Sequence, residues 1–308
     1  MIEVKDLYKK FGRTVALQGI TLEIKKGQIY GFVGPNGAGK TTVMSILATL
    51  LTPTSGTAKV GGYDCVKHPR EVRRLIGYMP DFFGVYDNLT AYEYLDFYGA
   101  SYGLSPKERQ QAIPQMLELV QLTHKTDEYV DMLSRGMKQR LGLARCLIHD
   151  PEVIILDEPA SGLDPRSRIE MREILKVLRE TGKTILISSH ILPELAEMCD
   201  TIGIIESGKL VATGKVEEIY RKMRAQRLLK IRVLDKWEPL LARLRSAPEV
   251  SNAVREDDHI IISFNGSDSE QAALLQTLLI EKYPIIAFSE MEGNLEDIFL
   301  EITKGVGS

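Results

Sequence analysis

The run Gly34-Pro35-Asn36-Gly37-Ala38-Gly39-Lys40-Thr41 has the spacing G-x-x-x-x-G-K-T, which suits a polyphosphate. Gly34, Gly37 and Gly39 let the backbone curl so that successive N–H groups point inward at phosphate oxygens. Lys40 brings a full positive charge to the β- and γ-phosphates, and the Thr41 hydroxyl can ligate Mg2+. The apolar run Ile29–Val33 precedes the loop and reads as a strand. The run Thr42 to Leu47 follows it and reads as a helix whose positive end adds to the cradle. A glycine-rich turn that binds nothing is the alternative, and it leaves that strand–loop–helix context unexplained.

A second apolar run, Val153-Ile154-Ile155-Leu156, ends in two carboxylates, Asp157 and Glu158. A strand covered on both faces reads as a continuous apolar run, and ligands sit at the carboxyl ends of such strands. Asp157 is therefore expected to hold Mg2+, through water. Glu158 is expected to polarise the water that attacks a γ-phosphate, the division of labour hydrolysis requires. A solvated acidic turn is the alternative. The segment Leu133 to Arg140 opens a helix running to Ile148, with Ser134 as its N-cap. A serine hydroxyl, the Gly136 N–H and a helix end also make an anion site. The first phosphate loop already uses one helix end, so the second suggests a γ-phosphate presented by another copy of the chain.

In order, the phosphate loop, LSRGMKQR (133–140), ILDEP (155–159), SGLD (161–164) and SSH (188–190) closely resemble the nucleotide-binding subunit of ABC transporters, over roughly residues 1–222. The resemblance implies a head-to-tail homodimer with two ATP molecules between phosphate loop and signature segment. It assigns ATP contacts to Gly34, Pro35, Asn36, Gly37, Ala38, Gly39, Lys40, Thr41 and Thr42. Ser134, Arg135 and Gly136 would meet the partner's ATP. The loop Ser161-Gly162-Leu163-Asp164 would make the dimer contact through Asp164. His190, with Glu158 and Lys40 part of the catalytic set, would sense the γ-phosphate, and Phe11 would stack on adenine. Two positions depart from the pattern. Arg135 stands where a glycine is usual, with Ser134 and Gly136 kept for phosphate contact. Asp81, after Ile76-Gly77-Tyr78-Met79-Pro80, stands where glutamine is usual. That position normally touches Mg2+ and leads into the segment meeting the membrane partner, and a carboxylate can also bind Mg2+. The expected metal set is Thr41, Asp81 and Asp157. Near the end, Asn294 to Leu300 resembles stand-alone ATPase subunits that pair with separate, export-type permeases.

These residues need a scaffold, and the alternation of strand and helix supplies one. Short strand-like runs fill Ile2–Tyr8, Val15–Leu17 and Leu22–Ile24, and residues about 88–148 read as helical, with Ser105 capping a helix that has Pro106 at its first position. Strand and helix then alternate from Val153 to Ile205, which implies a parallel sheet with helices on its faces. A boundary is expected near 222–228. Beyond it, 228–308 reads as strand, helix, strand, strand, helix, strand, a ferredoxin-like order. Its expected core is Ile231, Val233, Leu241, Ile261, Leu275, Leu279 and Ile286, and a last helix is expected over Leu295–Thr303. The basic segment Arg221–Arg227 reads as a solvated linker helix, with contact to a membrane surface as the alternative. The expected fold is thus an α/β P-loop NTPase of the ABC ATPase kind: a parallel core sheet, an antiparallel β subdomain and a helical subdomain over 1–222, then a small α+β ferredoxin-like domain.

Bulk composition narrows the function. The 308 residues are 44% hydrophobic and 26% charged, with a net charge of −3, which argues against a nucleic-acid partner. Cys65, Cys146 and Cys199 lack metal spacing and fit a reducing compartment. The N-terminus, MIEVKDLYKKFG, lacks the apolar core of a signal peptide. No apolar stretch approaches the ~18 residues of a membrane span, so no transmembrane segment of its own is expected. Any membrane role would come through a permease subunit, with the chain cytoplasmic and peripheral on the inner face of the membrane. The expected function is an ATP-hydrolysing transporter subunit, with ATP and Mg2+ as cofactors. The rival classes are a soluble non-transport ATPase of this family and a nucleotide-dependent regulator without turnover.

Overall fold

The uninterrupted apolar runs form buried strands. In the computed structural model, which describes residues 1–81, 84, 88–219 and 227–290, β3 (Ile29–Val33), β7 (Val153–Leu156) and β8 (Thr184–Ser189) are buried at every residue. Burial on both faces is what a run without polar alternation encodes. They lie in a six-stranded sheet of order β10-β9-β3-β8-β7-β6, with β6 (Ile76–Met79), β9 (Thr201–Glu206) and β10 (Lys209–Lys215). The pairings of β3, β6, β7, β8 and β9 are parallel. Only β10, which the sequence reading did not anticipate, is antiparallel, folding back on β9 at the sheet edge.

The register explains the position of the site. Val33 pairs with Ser189, Leu156 with Ile187, and Met79 with Leu156. The carboxyl ends of β3, β8, β7 and β6 therefore finish side by side, and the residues that follow converge at one edge.

A second, antiparallel sheet has the order β2-β1-β4-β5, from β1 (Ile2–Phe11), β2 (Thr14–Ile24), β4 (Ser55–Val60) and β5 (Tyr63–Asp64). The separate runs expected at 15–17 and 22–24 are one strand. Register shifts between β1 and β2, and a positive φ of 83° at Gly19, break the alternation that would have marked it. The helices are α1 (Lys40–Leu47), α2 (Pro69–Leu75), α3 (Ala91–Ser101), α4 (Pro106–Leu119), α5 (Arg135–Leu147), α6 (Pro165–Glu180) and α7 (Leu192–Ala196). Ser105 caps α4 as expected, in a reciprocal box with Glu108. The three cysteines are buried and free.

The chain divides after Val216, earlier than the expected 222–228. The following unit holds β11 (Arg227–Val233), α8 (Trp237–Arg245), β12 (Val250–Glu256), β13 (His259–Phe264), α9 (Asp268–Ile280) and β14 (Ile285–Glu290). Its antiparallel sheet has the order β12-β13-β11-β14, the ferredoxin-like arrangement. Ile231, Val233 and Leu241 are buried as expected, but α9 buries Leu274 and Leu278 while Leu279 is exposed and Leu275 half-buried. Adjacent leucine pairs in α9 left its rotational phase undetermined by spacing. Ile261 is half-buried, and Ile286 is exposed beside a register shift between β11 and β14. The expected helix at Leu295–Thr303, the segment Asn294–Leu300 and the basic run Arg221–Gln226 lie outside the described residues. Among the described residues, no helix is long and apolar enough to cross a membrane.

Candidate active site

The phosphate loop leaves β3 at Gly34, whose N–H meets Ser189 O at 3.4 Å. Gly37 and Gly39 have φ of +81° and +110°. A Cβ at Gly39 would also stand 2.8 Å from Leu17 Cδ2 and 2.9 Å from Ala16 O, so only glycine fits both the conformation and the space. Gly39 is the N-cap of α1 and offers no side-chain acceptor to its first turn. Those amides suit an anion instead. Lys40 is 5% exposed. Its Nζ donates to Gly34 O at 2.6 Å and to Pro35 O at 3.3 Å. Ala38 is buried, Thr42 half-buried, and Pro35, Asn36 and Thr41 exposed.

Asp157, fully buried, and Glu158 follow β7. Ser188, in β8, joins them. Its Oγ donates to Asp157 Oδ1 at 2.6 Å and accepts from the Glu158 N–H at 2.9 Å. That second bond holds Glu158 at φ +51°, a left-handed conformation uncommon for a residue with a side chain. His190 Nδ1 donates to Glu158 Oε2 at 2.8 Å. On the other side, Lys40 Nζ lies 3.2 Å from Glu158 Oε1. Oε1 has no aligned hydrogen bond, so this is a charge contact. Lys40, Asp157, Glu158 and His190, drawn from three segments of sequence, thus meet in one cluster.

The buried Asp157 Oδ2 has no hydrogen-bond partner among the described residues. An orphaned buried carboxylate oxygen is costly unless a cation or water satisfies it, so the residues fit a hard divalent ion. Asp81, just past β6 and exposed, has its carboxyl pushed above the usual range by partial loss of hydration and by the charges of Asp157 and Glu158, with Arg135 and His190 opposing. Residues 82, 83 and 85–87, where the segment toward a membrane partner was expected, lie outside the described residues.

The expected partner-facing segment is built from two helix starts. Ser134 caps α5, accepting from Met137 N–H at 3.3 Å. Asp164 caps α6, accepting from Ser167 N–H at 3.0 Å and Ser167 Oγ at 2.7 Å, bonds that hold its carboxyl below the usual range. Gly136 packs directly on Ser167, where a Cβ would collide. Phe11 lies at the end of β1, 45% exposed, with Lys9 Nζ 4.9 Å from its ring centroid.

Sequence reasoning gave Ser188 no role. The signal was a hydroxyl ending the apolar run Ile185-Leu186-Ile187, since a buried hydroxyl requires a partner.

A family model described as ABC transporter matches residues 17–161, and one described as ATP-binding protein DrrA1-3-like, C-terminal domain, matches residues 214–303. The chain is 33% identical over 305 residues to the linearmycin resistance ATP-binding protein LnrL of Bacillus subtilis (strain 168), covering 98% of each chain. It is 37% identical over 307 residues to the bacitracin transport ATP-binding protein BcrA of Bacillus licheniformis, covering 99% of this chain and 98% of that one. The Nod factor export ATP-binding protein I of Ralstonia nicotianae is 32% identical, with 98% and 94% covered. Among solved structures, an ATP-binding subunit of an ABC transporter matches with a TM-score of 0.66 and 30% identity, over 73% of this chain and 93% of that chain. A dimeric ATP-binding cassette in a post-hydrolysis state with ADP and Pi matches with a TM-score of 0.64 and 26% identity, over 70% and 99%.

Proposed function

The chain belongs to the ATP-binding proteins of ABC transporters, and on that premise we propose that it dimerises head to tail around two Mg-ATP and drives a separately encoded membrane permease in export. The observation that carries the hydrolytic part is the Glu158 carboxylate, held by His190 on one oxygen and facing Lys40 with the other. ATP is the substrate. To reach its β- and γ-oxygens, Lys40 must release Gly34 O and swing from Glu158. Oε1 is then free to take a proton from an attacking water, while His190 keeps Oε2 fixed. Ser188 holds the Glu158 backbone and the Asp157 carboxyl in one unit, so the base and the metal-side carboxylate keep their spacing. Thr41 and Asp157 would hold Mg2+, with Asp81 beside them, and the ion would neutralise charge on the phosphate oxygens.

Ser134, Gly136 and the α5 N-terminus would complete the site of a second copy, with Asp164 and its loop at the dimer contact. Phe11 would stack on adenine. Export is supported by relatives similar along almost their full length, which are a linearmycin resistance protein, a bacitracin transport protein and a Nod factor export protein. The permease would anchor the chain on the cytoplasmic face of the membrane. The ferredoxin-like unit, which carries none of the assigned ATP-site residues, would be an accessory domain for regulation or dimer support. Affinity capture of the tagged chain from its native membranes, with the product of the neighbouring reading frame identified, tests the partnership. A six-helix membrane protein whose presence stimulates ATP hydrolysis is expected. Capture of the chain alone, with full ATPase activity in the soluble fraction, would favour a non-transport ATPase.

A further inference from the structure

Arg135 departs from the family pattern, and its guanidinium engages its own chain. Nη2 donates to Ser161 O at 3.1 Å. The group also packs face-on against Gly162: a Cβ there would stand 2.6 Å from Cζ, Nη1 and Nη2 alike. Gly162 itself has φ +65°. One residue along, Gly136 packs on Ser167, which in turn satisfies Asp164. A turn further into the two helices, Arg140 Nη2 pairs with Glu170 at 3.2 Å, with Arg140 almost fully buried. The first turns of α5 and α6 and the loop 161–164 are therefore joined at three levels, and Arg135 makes the outermost join.

We infer that Arg135 is a positioning residue, a latch that fixes the 161–164 loop to the first turn of α5 within one chain. The surface built from Ser134, Gly136 and Asp164 is then preassembled before a second copy meets it. A planar guanidinium suits the task, since it bonds a carbonyl at its edge while its face covers a residue without a side chain. The compact ammonium of lysine offers no such face. The functional consequence of the latch rests on the head-to-tail reading above, but the latch itself does not.

A double-variant cycle in the full-length protein tests it. Gly162→Ala places a methyl against the guanidinium and strains the backbone; Arg135→Gly removes the guanidinium and leaves only the strain. Thermal melting without nucleotide should show each single variant lowering Tm, and the double variant losing less than the sum of the two single losses, because either change alone already breaks the contact. In steady-state hydrolysis, Arg135→Gly should lower kcat about tenfold, of the order expected when one charged hydrogen bond is lost, with KM for ATP held within about twofold. The double variant should lose less kcat than the two single losses combined, and Arg135→Lys should not reach wild-type kcat. Strictly additive melting shifts would overturn the latch. So would a rise in KM on Arg135→Gly that Arg135→Lys reverses, because the positive charge would then be reading a triphosphate. The melting comparison needs neither ATP nor a dimer. Positive coupling there, with no recovery when complementary defective chains are mixed, would remove the shared-site reading and leave the latch standing.

Discussion

Lys40 Nζ and Glu158 Oε1 lie 3.2 Å apart, each side chain at most 10% exposed, so the lysine of the phosphate loop is also the counter-charge of the carboxylate assigned to activate water. In the proposed mechanism one cation would link substrate arrival to release of the base, and the pair would bear on folding as well as on chemistry.

Removing one partner of a buried pair typically costs about 3–5 kcal/mol, because the other charge is left uncompensated. Lys40→Met should lower Tm and abolish ATP binding. Adding Glu158→Gln removes the stranded charge, so the double variant should recover much of the lost Tm while remaining inactive. Equal melting temperatures for Lys40→Met and wild type would show that the pair carries no such charge coupling.

Ser188 should behave as part of the site although it touches no phosphate. Ser188→Ala leaves the Asp157 carboxyl without its donor and the Glu158 N–H without its acceptor. An unsatisfied buried group costs about 1–3 kcal/mol. A fall of that size in the unfolding free energy from urea titration, together with a lower kcat, is the expected result. Unchanged kcat would mean that Glu158 keeps its left-handed backbone without the serine.

The strands that carry the site were legible because burial on both faces leaves an uninterrupted apolar run, as at Val153–Leu156. The loops were legible because glycine spacing and a terminal lysine are local features. What stayed hidden was set by contacts distant in sequence. Ser188 bonds residues about thirty positions away. Arg135 reads as a gap in a motif until the fold brings Ser161 and Gly162 beneath it. The phase of α9 could not be read, since Leu274 and Leu275 are equally apolar and only the sheet they face distinguishes them. Strand β10 was missed because its edge position leaves it largely half-buried or exposed, without a clean pattern.

Asp81 gives a signed dependence on pH. Its carboxyl is raised in the folded chain, first by partial loss of hydration and then by Asp157 and Glu158. The folded state therefore binds the proton more tightly than the unfolded state. Stability from this group is fully present below the unfolded value, about 3.9, and is lost as pH rises through the folded value. In EDTA at pH 7, Asp81→Gln should melt above wild type, and the gap should close as pH falls toward that unfolded value. A gap that stays constant with pH would assign the change to packing instead. Basal hydrolysis should tolerate this substitution.

The shared site predicts complementation. Chains carrying Lys40→Ala and chains carrying Ser134→Arg should each be inactive. In a head-to-tail heterodimer both lesions fall in one site and the other is intact, so mixing should restore a fraction of wild-type hydrolysis. Mixed dimers that form and stay inactive would mean that each chain hydrolyses ATP on its own.

In the proposed mechanism Glu158 activates water in a site that two chains close around ATP. The most direct test is Glu158→Gln in Mg-ATP, followed by mass-resolved size exclusion and phosphate release. Loss of a positioned base costs about 10²–10⁴-fold in rate, so the variant should bind ATP, fail to turn it over and elute as a dimer retaining nucleotide, returning to monomer when Mg2+ is chelated. A variant that releases phosphate at near the wild-type rate, or stays monomeric with ATP bound, would contradict the account.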